Sequence, residues 1–137
     1  MALTRVINSG IGVAASIAGE GTATTSLQQG LAKAWGNLNG SGTPAFRDSL
    51  NMASLTDNGT GTITHTFGNP MANKDYACVT NMLRNSNGGY GHSSPLGSNS
   101  DSGMTLVTSG VKVVYFNAAN SPEDPRRGLM TSHGDLA

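Results

Sequence analysis

Short runs of alternating residues, separated by turns rich in Asn and Gly, fill residues 31–67 and constrain the fold more than any other feature. Residues 61–67 show the pattern best, because Ile63, His65 and Phe67 share one face of an extended chain and three threonines share the other. A side-chain period of two indicates a β-strand with one buried face. The preceding residues 56–59, Thr-Asp-Asn-Gly, predict a hairpin turn because Asn and Gly tolerate positive φ.

Two further strands are predicted before this turn, in residues 33–38 and 45–53. The first ends at Asn39-Gly40, which again indicates a turn. The second alternates and is predicted to be one continuous strand. Its two faces are predicted to carry Phe46, Leu50 and Met52 on one side and Arg47, Ser49 and Asn51 on the other.

Similar short segments recur after residue 67, at residues 75–83, 104–108, 111–116 and 128–133. Residues 111–116 are apolar on both faces, which predicts a central strand. Amphipathic helical segments do not separate these strands, so a doubly wound α/β fold is not expected. We predict an all-β fold, an antiparallel β-sandwich that is jelly-roll-like, with a partly closed barrel as the alternative.

Residues 1–25 differ from the rest in being small and apolar or hydroxylic, with several β-branched residues and glycines at positions 10, 12, 19 and 21, and residues 26–30 are compatible with a single helical turn. Such a segment neither forms a stable helix nor buries itself alone. We therefore expect an extended N-terminal arm over residues 1–30 that anchors on neighbouring molecules. Residues 31–137 are expected to form the β-domain.

Core-forming side chains are scarce, since only 36% of the 137 residues are hydrophobic and 5% are aromatic. A domain with a thin core gains burial by association, so we expect a homo-oligomer. The only tryptophan, Trp35, is a candidate anchor, either in the core or at a subunit interface.

The charge pattern argues against several classes of partner. Eight basic residues balance eight acidic ones, so no basic surface for nucleic acid is expected. No apolar run approaches the roughly 18 residues that span a bilayer, so membrane insertion is not expected. The single cysteine, Cys78, excludes an intrachain disulfide and is predicted to be a buried small hydrophobe.

Catalytic and metal-binding signatures are absent from the sequence. The histidines His65, His92 and His133 lie far apart, and no metal-ligand spacing or nucleophile elbow occurs. We predict no enzyme and assign no catalytic, cofactor-binding or metal residues. A small glycan hydrolase stays open as a minor alternative.

Residues 85–103 form a long Gly/Ser/Asn-rich segment that contains Tyr90 and His92. Long loops of this composition are either mobile connections or recognition surfaces, in which Tyr supplies contact area and Ser, Gly and Asn supply adaptable polar groups. Tyr90 and His92 are therefore candidate surface-recognition residues.

Four segments together resemble a pattern found in the distal β-modules of tailed-bacteriophage fibre proteins. The pattern covers residues 31 to about 83. Its elements here are Ala-Lys-Ala-Trp-Gly-Asn-Leu-Asn-Gly-Ser-Gly-Thr at 32–43, Phe-Arg-Asp-Ser-Leu-Asn at 46–51, Ser-Leu-Thr-Asp-Asn-Gly-Thr-Gly at 54–61 and Met-Ala-Asn-Lys-Asp-Tyr-Ala at 71–77. The resemblance implies an all-β, homotrimeric, structural protein of the virion, and no catalytic residues belong to the pattern.

Within that family, the short stretch of about 30 residues before the pattern leads us to expect no fibre shaft. This favours a short fibre, a head fibre, or a decoration or adaptor unit that docks on other virion proteins through its arm. The alternative is a tail fibre tip that binds a receptor protein or glycan of the host surface. Either function would locate the chain on the surface of a phage particle.

Overall fold

The computed structural model describes residues 16–18, 24–26, 30–84, 91–94 and 106–137. The chain divides into two compact units, Met1–Leu31 and Ala32–Ala137. In the first unit, strands β1 (Ser16–Ala18) and β2 (Thr24–Ser26) pair antiparallel, with Ser16 opposite Ser26. The two strands described within the predicted arm therefore pair with each other.

The described residues of the second unit form strands joined by turns and irregular segments, with no helix among them. The strands are β3 (Ala34–Asn39), β4 (Ala45–Leu50), β5 (Met52–Asp57), β6 (Thr62–Phe67), β7 (Ala77–Leu83), β8 (His92–Ser94), β9 (Leu106–Val107), β10 (Gly110–Phe116) and β11 (Arg127–His133).

These strands build two antiparallel sheets. The first sheet has the order β4-β3-β11-β7, and the second has the order β5-β6-β10-β8, with β9 also paired to β10. The prediction of an all-β antiparallel fold is confirmed, and its two-layer arrangement is consistent with a β-sandwich. The doubly apolar strand β10 lies between β6 and β8, as its sequence predicts.

The hydrophobic core combines the inward faces of both sheets. Burial alternates along β3 and β6, so every second side chain points into the core. The first sheet contributes Ala34, Leu38, Met82 and Met130, and the second contributes Ile63, Phe67, Val111, Val113 and Tyr115. His65 and Ser132 are the buried polar residues of the described chain.

Asn51 carries the chain from one sheet to the other. β4 pairs with β3 in the first sheet, whereas β5 pairs with β6 in the second, and only Asn51 separates them. Asn51 has φ +55°, in the left-handed region that Asn tolerates better than most residues. Its Nδ2 donates to the carbonyl oxygens of Lys33 and Asn69 at 3.0 Å, and its Oδ1 accepts from the Asn69 backbone N–H at 2.6 Å.

The prediction of one continuous strand over residues 45–53 is therefore wrong. The predicted shared face is also wrong, because Phe46 and Met52 pack against the core whereas Leu50 is exposed. A β-bulge explains the difference. The register between β3 and β4 shifts between Asn37 and Leu38, which leaves Arg47 as the extra residue and changes the alternation along β4.

The turn between β5 and β6 confirms the hairpin predicted at residues 56–59. The Gly59 N–H donates to Oδ1 of Asp57 at 2.9 Å, and the Thr62 N–H donates to the Gly59 carbonyl at 2.9 Å. Gly59 and Gly61 have positive φ, at +107° and +69°. Gly61 also lies so close to the chain around Tyr115 that a Cβ atom would approach the Tyr115 carbonyl oxygen to 2.7 Å.

Candidate functional site

The outer face of the second sheet is polar along β5 and β6, whereas two apolar residues of β10, the buried Val114 and the half-buried Phe116, lie on the same side as Lys112. Thr62, Thr64 and Thr66 of β6 point away from the core, and the register places Lys112 opposite Thr64. On the other side of β6, Thr56 lies opposite Thr64. Hydroxyl groups and a lysine suit a face in contact with water.

The outer face of the first sheet is apolar by comparison. Its outward side chains include Trp35 on β3, Leu50 on β4, Val79 and Leu83 on β7 and Leu129 on β11; we call these five residues the Trp35 face. The four aliphatic residues are exposed, with Val79 at 63% and Leu129 at 40% exposure.

Strand register makes the Trp35 face continuous. Leu50 lies opposite Trp35, Trp35 opposite Thr131, and Thr131 opposite Val79, which gives one row across four strands. Leu129 lies in the next row, diagonal to both Trp35 and Val79, within reach of side-chain contact. The apolar groups therefore form one patch.

Polar groups border this patch. Leu129 lies between Asn37 and Asn81 across the sheet, and Asp48 follows Asn37 in the same row. Arg127 lies opposite Leu83 at the neighbouring edge. An apolar centre with a polar border of both charge signs is the anatomy of a protein–protein contact surface.

Trp35 is half-buried on the outer side of the sheet and does not belong to the buried core. Its neighbours Ala34 and Gly36 point inward. A Cβ atom at Gly36 would lie 3.0 Å from Cε1 of Phe46, so a larger residue there would require the Phe46 ring to shift. The small inward residues hold β3 against the core and leave Trp35 on the surface.

The predicted recognition residues are not brought to this face by the described chain. Tyr90 lies outside the described residues, as does most of the segment 85–103. His92 begins β8, where its backbone pairs with Phe116 of β10, and its side chain is outside the description. Both remain predictions.

His65 and Tyr115 form a buried polar pair in the core. Nε2 of His65 and the Tyr115 hydroxyl lie 3.3 Å apart in a hydrogen bond, and Nδ1 of His65 has no partner within the described part of the chain. Burial lowers the pKa of His65 to about 4 and raises the pKa of Tyr115. The fully buried imidazole is neutral near pH 7 and has no access to a substrate.

The other reactive side chains also serve the fold. Burial raises the pKa of the half-buried Cys78 thiol, which opposes formation of the nucleophilic thiolate. The Tyr76 hydroxyl lies 2.8 Å from the Gly110 carbonyl oxygen and 3.1 Å from that of Val107, and burial raises its pKa to about 12. Tyr76 thus ties the start of β7 to the β9–β10 turn.

Arg84 and Glu123 form an ion pair between the end of β7 and the segment that precedes β11. Nη2 of Arg84 lies 2.8 Å from Oε2 of Glu123, and Nε adds a second contact at 3.2 Å. Side-by-side contacts of a guanidinium with a carboxylate fix the relative orientation of the two segments.

No group of three His, Cys, Asp or Glu side chains suited to a metal ion occurs among the described residues. The described chain also contains no helix long and apolar enough to cross a membrane.

Sequence reasoning identified Trp35 but missed the rest of its face. Val79, Leu83 and Leu129 carried no distinguishing sequence signal, and Leu50 was assigned to the side of Phe46. Knowledge of the β3–β11–β7 register is needed to see that these residues converge.

Comparisons of the chain with protein-family models, with curated proteins and with solved structures find no match. The resemblance to fibre modules accordingly stays a prediction, and the chain's own geometry carries the functional argument.

Proposed function

We propose that this chain is a non-enzymatic structural protein of a phage particle, a short fibre or a decoration or adaptor unit. Residues 1–30 would be the arm that docks on other virion proteins, and residues 31–137 would project as a jelly-roll-like sandwich. The working form would be a homo-oligomer, with three copies expected from the resemblance to fibre modules.

The observation that carries this proposal is that several polar residues of the fibre-like pattern are engaged in folding contacts. Asn39 donates from Nδ2 to the Ser41 carbonyl oxygen at 2.9 Å, and its Oδ1 accepts from Arg47 at 3.3 Å. Asn51 holds the corner between the sheets. Asp57 caps the β5–β6 turn, and Tyr76 anchors β7.

A pattern whose residues hold a scaffold together is what a structural module requires. An enzyme would instead present polar side chains that converge on a substrate position. The buried His65 and the protonated Cys78 support the same conclusion, because neither group offers reactive chemistry to solvent. A near-zero net charge likewise favours a protein partner over nucleic acid.

The experiment is to find the chain in the particle. Phage particles produced by the genome that encodes the chain would be purified by density, digested with trypsin and analysed by mass spectrometry. We expect peptides of this chain at constant stoichiometry with the major capsid or tail proteins, and antibody labelling on the particle surface. Absence from particles that are otherwise complete would refute the proposal.

A second measurement distinguishes the structural function from the receptor-binding alternative. Glycan-array and host-cell binding would be compared between the whole chain and a variant that lacks residues 86–101. Binding that depends on this segment would favour a host-attachment tip. Sustained turnover of a glycan substrate would instead favour an enzyme.

A further inference from the structure

We infer that the Trp35 face is the surface through which copies of this chain bind one another. The inference rests on the proposed function in taking the protein to be a homo-oligomer, and it names the surface and the partner. The partner is a second copy of the same chain, which contributes its own β4-β3-β11-β7 sheet or its border.

The first argument is the contrast between the two outer faces. Both sheets come from the same scarce supply of hydrophobic residues. The second sheet presents threonines and a lysine to solvent, and the two outward apolar residues of its strand β10 are buried or half-buried. The first sheet leaves Trp35 half-buried and Val79 and Leu129 exposed. Exposed apolar residues in a contiguous group mark interaction surfaces, whereas isolated ones do not. Burial against a partner is therefore more favourable for the outer face of the first sheet than for that of the second.

The second argument concerns area. With strands about 4.8 Å apart and about 3.3 Å per residue, four strands of six or seven residues project roughly 400 Å². A stable interface buries about 800 Å² of accessible surface per partner. The sheet face can thus supply the centre of an interface, and its borders can supply the remainder.

The third argument concerns charge and selects a second copy as the occupant. The charged residues at the border of the face include Asp48, Arg127 and Arg47, whose guanidinium donates to Oδ1 of Asn39, so both signs occur there, and the formal net charge of the chain is zero. A surface with both signs at its border can pair with itself without like-charge repulsion. The face has no large excess of charge of one sign that would complement a strongly basic or strongly acidic partner.

The chain carries its own reporter for this interface. Trp35 is the only tryptophan in the sequence and lies on the face itself. Its fluorescence emission therefore reports whether the face is covered. We expect dilution to shift the emission to longer wavelength over the same concentration range in which sedimentation shows the mass falling towards 14.0 kDa.

Matched substitutions test the location of the interface. Leu129→Lys and Val79→Lys introduce a charge into the Trp35 face. Leu136→Lys and Val107→Lys introduce the same charge at residues of the same types outside the face, and Leu136 and Leu129 have similar exposures of 43% and 40%. We expect each face variant to weaken association at least about 30-fold, as for central interface residues, and the two control variants to keep the wild-type mass.

Circular dichroism of every variant establishes whether it is folded. If Leu129→Lys does not fold, Leu129→Gln replaces it as the variant of the face. The inference is overturned if the wild-type chain is a monomer at micromolar concentration. It is also overturned if the face variants keep their mass while Leu136→Lys or Val107→Lys loses it. Either result leaves the particle test of the proposed function intact, so the two failures are distinguishable.

Discussion

Mild acid should destabilise this protein through His65, whose imidazole is buried between the sheets. The register places Leu55 of β5 and Val111 of β10 opposite His65, and the Phe46 ring centroid lies 6.3 Å away. Among the described residues, its hydrogen-bond partner is Tyr115. An imidazolium in this position would be a charge surrounded by apolar groups and one hydroxyl, which is costly.

The magnitude follows from the two pKa values. Burial lowers the pKa of His65 from its ordinary value of 6.5 to about 4 in the folded protein. The unfolded chain therefore binds the proton more tightly, and stability falls as the pH drops from about 6.5 to about 4. At about 1.4 kcal/mol per pH unit, the loss is about 2 kcal/mol at pH 5 and about 3 kcal/mol below pH 4.

Urea unfolding followed by circular dichroism, at fixed protein concentration and about half-unit steps from about pH 7.5 to 5, measures this dependence. The test variant is His65→Leu/Tyr115→Phe, which replaces both polar partners by apolar groups and so leaves neither unpaired. His133→Gln, which removes a half-buried histidine of β11, is the control.

We expect wild type and His133→Gln to lose about 2 kcal/mol between pH 7 and 5 beyond any loss in the double variant. The titratable groups that wild type and the double variant share contribute equally to both pH dependences, so the difference isolates His65. Equal pH dependence in wild type and the double variant would show that His65 does not remain neutral and buried, and would refute the reasoning.

Three further predictions test the scaffold by urea unfolding at neutral pH. Asn51→Ala should cost about 2–4 kcal/mol, because it loses the hydrogen bonds of the Asn51 amide to Lys33 and Asn69 and places a Cβ residue without polar compensation at positive φ; Asn51→Gly should cost clearly less, and equal costs would contradict a backbone contribution. Gly61→Ala should cost at least about 3 kcal/mol, because its Cβ would lie 2.5 Å from the Glu123 backbone nitrogen at φ +69°; Gly42→Ala, with φ +72° and no atom within 4 Å, should cost only about 1 kcal/mol. Tyr76→Phe should cost about 1–3 kcal/mol because it leaves the Gly110 carbonyl oxygen without this donor, and an unchanged midpoint would show that the hydroxyl bond adds nothing.

Alternation predicted the strands whose two faces differ in polarity. The alternation along β6 indicates which face of the strand is buried. Threonines occupy the even positions, and Ile63, His65 and Phe67 occupy the odd positions that face the core. In β10, apolar residues on both faces predicted a central position. These local signals also predicted the all-β class, because no segment of helical period competed with them.

The corner at Asn51 could not be read in the same way. Residues 45–53 are all compatible with an extended strand, and the change of sheet depends on the bulge at Arg47 and on contacts with Lys33 and Asn69, which are distant in sequence. Similarly, β8 was hidden because three residues in a polar segment give no detectable period.

The sequence did not predict the Trp35 face, and the reason is physical. Along β7, the outward set of Val79, Asn81 and Leu83 is no more polar than the inward set of Thr80 and Met82. Local sequence therefore does not decide which side of β7 is covered. The decision comes from the pairing of β7 with β11, which positions Met82 towards the core and Val79 outward.

The crossing at Asn51 has a mechanical consequence. Sandwich layers that touch only through side chains can slide over one another under load, whereas here a covalent backbone runs without a loop from one layer into the other. A pull along β4 passes directly into β5, and the amide of Asn51 clamps the bend from both sides. Forced separation of the layers would have to straighten this bend and break the hydrogen bonds of Asn51 to Lys33 and Asn69.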